Sequence, residues 1–263
     1  MTNIKLLVAT HKLYEMPRDT ELYLPIHVGA QGKESIGYCG DNTGNHISEL
    51  NSCYCELTGL YWAWKNLDYD YLGLVHYRRY LTTRARKFHE GINIDEVVLS
   101  KKEIEELLKD NSVIVPKKRN YYIETLYSHY ANTFDGKHLD IARQIIREKT
   151  PEYLSAFDKV MKQRSGYMFN MFIMPKEYVN EYCEWLFKIL DSMYEQIDIS
   201  NYTAFEARLF GRVSELLFNV WLEYKHIQPK EVPFMYMAKV DLIQKGISFL
   251  QAKFFGKKYE KSF

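Results

Sequence analysis

Asp70-Tyr71-Leu72-Gly73-Leu74-Val75-His76-Tyr77-Arg78-Arg79-Tyr80 decides how the chain is read. Tyr71 to Val75 is a short apolar run, the pattern of a strand covered on both faces. His76, Tyr77, Arg78, Arg79 and Tyr80 then crowd the end of that strand. In open α/β sheets ligands bind at the carboxyl ends of the strands. Two adjacent guanidinium forks suit a phosphate there, because each offers a planar set of donors. The pattern predicts a site for the diphosphate of a nucleotide-sugar. The competing reading is a basic surface turn whose arginines only pair with nearby carboxylates.

The rest of the chain fits an α/β domain. Its 263 residues are enough for one large core. A 46% hydrophobic share marks a globular chain, and 22 Tyr, 14 Phe and 4 Trp supply rings that pack cores or line sugar clefts. The net charge of +1 argues against nucleic acid as partner. Cys39, Cys53, Cys55 and Cys183 make no disulfide framework, and Cys53 and Cys55 are too close for the usual zinc pair. Reduced thiols and a cytoplasmic setting are expected. Met1 to Lys12 has no signal-peptide character, and no run of about 18 apolar residues spans a membrane.

Ile4 to Ala9 reads as the first strand, ending in Thr10, His11 and Lys12, where a nucleotide-binding unit usually opens. These residues either reach a base or phosphate or form a capped loop. Leu22 to Val28 is a second strand. Tyr38 to Asn45 is dense in turn formers, and Asp41 either receives a ribose or uracil or makes an Asx turn. A helix over Ile47 to Asn66 is expected, with Ser48 as N-cap and Leu50, Tyr54, Leu57, Tyr61 and Trp64 as its buried stripe. Asn51 and Glu56 fall away from that stripe. Ile94 to Asp110 reads as another helix. Ser112 to Pro116 is a buried strand whose end, Lys117-Lys118-Arg119, either shares the phosphate site or is a solvated charge run.

Tyr121 to Lys137 holds Tyr121, Tyr122, Tyr127, His129, Tyr130 and Asp135, either beside a sugar or on a helix face. Helices follow over Leu139–Arg147, Pro151–Arg164 and Glu177–Tyr194. Between the last two, Ser165 to Pro175 reads as one apolar strand with Asn170 in its middle, where a buried amide must find partners. Asn201 to Leu222 is mostly helical, and Arg208, Arg212 and Glu215 fall three or four apart on one face. That face is either an intrahelical ion network or a site with Glu215 as base. From Phe234 to Phe263 six lysines stand against Asp241 and Glu260, and Ile243, Ile247, Leu250 and Phe254 keep helical spacing. Such a basic amphipathic helix lies on anionic lipid, or docks on the body or a partner subunit.

Several motifs occur in order: Thr10-His11-Lys12, Gly40 to Ser48, Cys55 to Asn66, His76-Tyr77-Arg78-Arg79-Tyr80, Asn170 to Ile173 and Ser214-Glu215. Together they resemble the bacterial capsular and exopolysaccharide biosynthesis family marked by a His-Tyr-Arg-Arg-Tyr motif, long catalogued as a domain of unknown function and linked to galactofuranosyltransferases. The resemblance covers roughly Lys5 to Leu222. It implies a GT-A-like α/β fold, a mostly parallel sheet flanked by helices, over residues 1–232; the basic C-terminal helix read in 233–263 lies outside the resemblance. It implies transfer of a sugar, galactofuranose or galactose favoured, from a UDP-sugar to a lipid-linked glycan.

On this reading Arg78, Arg79 and His76 stabilise departing UDP. Thr10, His11, Lys12 and Asp41 contact the nucleoside, and Asn51, Asn170, Arg208 and Arg212 bind substrate. Glu215, or else Asp135, takes the acceptor proton. Ordinary GT-A enzymes end the central strand in a metal-holding Asp-x-Asp; here Asp68-Tyr69-Asp70 lies before the strand, at the wrong end. Cations replacing the metal make a metal-independent enzyme with no cofactor the expectation. The expected setting is the inner face of the cytoplasmic membrane, touched through the C-terminal helix, with a homo-oligomer an open possibility. The alternatives are a non-catalytic nucleotide-sugar-binding subunit and a nucleic-acid binder using His76–Tyr80 and Lys117–Tyr122.

Overall fold

Leu6 to Ala9 has no polar residue, and the computed structural model, which describes residues 2–85, 88–110 and 112–237, buries it in mid-sheet. The strands are β1 (Ile4–Thr10), β2 (Tyr23–His27), β3 (Cys39–Gly40), β4 (Tyr71–His76), β5 (Arg79–Leu81), β6 (Ile114–Pro116), β7 (Arg119–Asn120), β8 (Ser165–Gly166), β9 (Phe172–Pro175), β10 (Lys230–Val232) and β11 (Phe234–Tyr236). The helices are α1 (Asn51–Tyr54), α2 (Leu57–Asn66), α3 (Lys101–Leu108), α4 (Leu126–Thr133), α5 (Lys137–Lys149), α6 (Leu154–Met161), α7 (Lys176–Gln196) and α8 (Leu209–Tyr224). The main sheet runs β10-β6-β9-β4-β1-β2-β3. It is mainly parallel, with β9 antiparallel to both neighbours.

The missing polar face has a simple cause. Leu7 and Ala9 of β1, Leu72 and Leu74 of β4, and Phe172 and Met174 of β9 enter one core with α2 and α4 to α8. Ile4, Leu6 and Val8, Val75, and Ile173 enter a second core on the opposite face, with α3 and β11. Burial on both faces is what turns alternation into a continuous apolar run. Gly73 has no room for a side chain, because a Cβ there would meet Leu6 and stand 3.0 Å from the Phe172 carbonyl.

The structure departs from the expected elements where polar residues interrupt apolar periods. Ile47–Asn66 is not one helix: a 3-10 turn at Ser48–Leu50 leads into α1, and Cys55 at φ +56° breaks the chain before α2. Ser48 caps nothing; its hydroxyl donates to Asp41 and accepts from the Gln31 N–H at 3.0 Å. The expected Ile94–Asp110 helix divides at Ser100, which makes a capping box with Glu103 and starts α3. Asn201–Leu222 becomes helical only from Leu209, after a 3-10 turn at Glu206–Arg208.

Ser165–Pro175 is not one strand. β8 pairs with β7 in a separate two-stranded sheet, and the chain turns through Phe169 (φ +81°) and Asn170 (φ +50°) before β9. Phe234–Tyr236, expected to begin the tail, is β11 and pairs with β5 inside the main sheet. The basic amphipathic helix expected beyond it lies outside the described residues. Among the described residues no helix is long and apolar enough to cross a membrane.

Candidate active site

β1 and β4 run side by side, with Ala9 opposite His76, so Thr10-His11 and Tyr77-Arg78 leave the sheet at one edge. β4 folds straight back into β5, which pairs His76 with Arg79, and Arg79 in turn lies opposite Tyr236 of β11. A cavity of about 920 Å³ opens at this edge. Its charged walls are Arg78 and Arg79 from β4–β5, Arg119 from β7, Glu56 from the α1–α2 break, and Arg208, Arg212 and Glu215 at and along α8. The Arg79 guanidinium lies 4.7 Å from the Phe169 ring centre and 5.8 Å from that of Tyr236; Arg78 stands 5.2 Å from Tyr77. Neither Arg78 nor Arg79 forms an ion pair among the described residues. That geometry disfavours the reading of a basic turn occupied with carboxylates.

The turn before β9 ties these walls together. The Phe169 N–H is near enough to the Glu215 carboxyl to favour its charged form, and the Phe169 carbonyl lies 2.6 Å from His76 Nε2. An acceptor that close assigns the proton to Nε2. Asn170 is 3% exposed. Its Nδ2 donates to Glu56 Oε1 at 2.6 Å and to the Gly211 carbonyl at 3.0 Å, while its Oδ1 accepts from the Ser214 hydroxyl at 3.0 Å. Two consecutive non-glycine residues in the left-handed region cost backbone energy and persist only where the surroundings hold them. Here their backbone and side chains hold His76, Glu215, Glu56 and Arg79.

Electrostatics separates the titratable groups. Burial, and then the neighbouring Glu56, pushes the Glu215 carboxyl up to about 7, against the pull of Arg79, the Phe169 N–H and Arg119. Burial lowers His76, with Arg79 acting in the same direction and Glu56 against it. His11 is lowered by burial and then by Lys12 and Arg78. The Cys55 thiol is pushed up to about 11, chiefly by burial, although Arg208 Nε lies 3.2 Å from its sulfur. A neutral thiol is a poor nucleophile, whereas the Glu215 carboxyl is held where it changes charge near neutral pH.

Thr10, His11, Asn51, His76, Arg78, Arg79, Arg208, Arg212 and Glu215 all line the cavity. Thr10 donates to the Lys12 carbonyl at 2.7 Å, and Asn51 braces the helix break through the Cys55 carbonyl at 2.7 Å. Four expected site residues lie elsewhere. Lys12 is exposed, its ammonium 5.7 Å from the Tyr77 ring. Asp41 is fully buried and accepts the Gly29 and Ala30 N–H groups at 2.8 and 3.0 Å, so it fixes the loop after β2 instead of meeting a nucleoside. Asp135 accepts the Lys137 N–H at 2.9 Å at the start of α5, away from the lining, and is not placed to act as base. Asn170 spends its amide on protein partners, so it holds the site and does not face a sugar.

Of Lys117, Lys118 and Arg119, Arg119 alone lines the cavity. Asp68 pairs with Lys176 at 3.0 Å and Asp70 accepts the Asn3 N–H at 2.7 Å, both at the amino end of β4. Among the described residues no group of three or more His, Cys, Asp or Glu is arranged to hold a metal ion. Sequence reasoning passed over Glu56 and the Phe169 and Tyr236 rings. Glu56 had left a trace, its departure from the apolar stripe; the two rings had left none.

A mainly parallel open sheet, helices on its faces and a cavity at its carboxyl edge define an α/β fold of the kind that binds ligands at its strand ends. Residues 5–226 match the family described as a domain of unknown function, DUF4422, and the chain belongs to that family. The solved apo structure of the WbbM bifunctional glycosyltransferase is similar, with a TM-score of 0.83 and 30% sequence identity over 90% of this chain and 46% of that one. The fold is therefore that of a glycosyltransferase, and the chain spans about half the length of that protein. No curated protein matches it.

Proposed function

We propose that the chain is a glycosyltransferase that moves a hexosyl group from a UDP-sugar to a hydroxyl of a lipid-linked glycan. The observation that carries this reading is the pair Arg78 and Arg79, without ion pairs among the described residues, at the end of β4 in the same cavity as Glu215. The likeness to a bifunctional glycosyltransferase supports it. The acceptor oxygen attacks the anomeric carbon and forms the new C–O bond. The bond from that carbon to the diphosphate oxygen breaks, and its electron pair leaves with UDP. The acceptor proton passes to the ionised Glu215 carboxylate.

Charge developing on UDP falls beside Arg78, Arg79 and Arg119, whose forks bind phosphate oxygens without reorganising. His11 and Thr10 at the end of β1 border the nucleoside. His76 donates to the Phe169 carbonyl and so orders the turn that holds Glu215. With cations at this strand end and Asp68 and Asp70 at the other, the proposed reaction is independent of a divalent metal and uses no cofactor. Galactose or galactofuranose is the favoured donor sugar and capsule or exopolysaccharide synthesis the favoured setting, both through the family resemblance. The lysine-rich tail is proposed to hold the protein at the inner membrane face.

Calorimetry of UDP binding, with and without EDTA, tests the site in wild type and Arg78→Ala. Binding that survives EDTA and weakens at least tenfold in the variant is expected. No binding of UDP in either condition overturns the donor assignment.

A further inference from the structure

α8 carries a second cation into the cavity, one turn before Glu215. The Arg212 guanidinium carbon lies 4.2 Å from the Phe134 ring centre and 4.1 Å from that of Phe205. Its Nη2 is buried and has no hydrogen-bond partner among the described residues. Arg212 forms no ion pair among the described residues. Glu215, three residues on, lines the same cavity and is biased toward its neutral form. Contact with ring faces offsets part of the desolvation cost of a guanidinium. The remainder stands until an anion completes the site.

Arg212 also stands apart from the strand-end arginines. Arg78 and Arg79 belong to the β4–β5 turn, whereas Arg212 projects from α8 toward Phe134, where α4 ends. A diphosphate gripped at the strand end leaves this second cation unanswered. Tyr122, 75% exposed, also lines the cavity and offers a ring for a sugar face.

We propose that the half of the cavity between the end of α4 and α8 is the acceptor subsite, and that Arg212 there binds an anionic group of the acceptor, a uronate carboxylate or a sugar phosphate. The proposal rests on the glycosyltransferase reading and adds the acceptor's chemical class to it. Helical residues three apart set their Cβ atoms about 5–6 Å apart, a separation comparable to the width of a sugar ring. An anion on Arg212 therefore leaves a hydroxyl of the same ring, or of the next, in front of Glu215. A neutral acceptor would leave the guanidinium unmatched, so charge at this position distinguishes acceptors.

The test uses the whole chain, with UDP binding measured first and saturating UDP then kept present. Saturation-transfer NMR ranks three probes: phenyl β-D-glucuronide, phenyl β-D-glucoside and phenyl phosphate. Wild type is expected to prefer at least one anionic probe over the glucoside by about tenfold or more, and Arg212→Gln to lose that preference. Preference for the glucuronide identifies a uronate; preference for phenyl phosphate alone identifies a phosphate. Should Arg212→Gln fail to melt cooperatively, Arg212→Lys replaces it, with a reduced preference expected because the fork is lost. Equal binding of all three probes by wild type, or a preference that survives in a folded Arg212→Gln, overturns the subsite. If UDP does not bind while the anion preference is present and depends on Arg212, the donor assignment fails and the anion site stands.

Discussion

Replacing Glu215 by Gln separates the two consequences of a carboxyl pushed up to about 7. The side chain keeps its shape and loses its ionisable proton. As a base, half of the wild-type carboxyl is ionised at pH 7 and about a tenth at pH 6, so turnover should fall roughly fivefold between them and level off above pH 8. Glu215→Gln should lose about 10²- to 10⁴-fold in kcat. Stability should move the opposite way. An unfolded carboxyl near 4.5 has released its proton where the folded one, near 7, still holds it. The folded wild type is therefore penalised progressively as pH rises from about 4.5 to 7, fully above that, and not at all below. Moving the carboxyl that far corresponds to roughly 3 kcal/mol. Glu215 is half-buried, so water screens it and about 1–2 kcal/mol is the realistic gain on substitution. At roughly 2–4 °C per kcal/mol, Glu215→Gln should melt several degrees above wild type at pH 8 and near it at pH 4.5. The assays are UDP release against pH and circular-dichroism melts at the two pH values. Intact turnover in the variant refutes the base assignment, and a melting difference independent of pH refutes the raised carboxyl.

Arg78→Lys keeps the charge but loses the planar fork, and UDP affinity by calorimetry should drop about tenfold; unchanged affinity would mean that no bidentate contact is made there. Asn170→Ala removes the amide that joins Glu56, Ser214 and the Gly211 carbonyl, although the Ser214 hydroxyl keeps its 2.8 Å bond to that carbonyl, and should cost about 1–3 kcal/mol in denaturant unfolding and lower turnover in the folded fraction; stability within about 0.5 kcal/mol of wild type would show that the turn is held by other contacts. Asp41→Asn weakens the charge-assisted bonds from Gly29 and Ala30 and should destabilise by about 1–3 kcal/mol while UDP affinity holds; selective loss of UDP binding in the folded variant would return Asp41 to the nucleoside.

The fold was legible because two-sided burial writes itself into sequence. Tyr71–Val75, Ile4–Ala9 and Val113–Val115 are short apolar runs that few other environments require, and each became a strand of the main sheet. The strand-end arginines were legible for a related reason, since an abrupt change from apolar to cationic at a strand's carboxyl end has few structural uses. Arg208, Arg212 and Glu215 were brought together by helical spacing alone, which is a local property. What sequence could not expose was the part of the site made by distant segments. Asp41 and Asp135 have the right chemistry for a site, but Asp41 spends its oxygens on the Gly29 and Ala30 N–H groups after β2 and Asp135 accepts the Lys137 N–H, and no spacing rule distinguishes a carboxylate that caps from one that faces substrate. Asn170 was expected either to bind a sugar hydroxyl or to hold a neighbouring loop, because a buried amide needs partners. The partner turned out to be Glu56, 114 residues earlier in the chain. That contact requires the expected strand to break at Phe169 and Asn170, in a left-handed turn that neither residue type advertises. The same turn then brings its N–H near Glu215 and its ring under Arg79. The least legible element is thus the one through which Arg79, Glu215 and Glu56 are set relative to one another. A change confined to Phe169–Asn170 should therefore disturb both UDP binding and the pH limb, although neither residue needs to touch the transferred sugar.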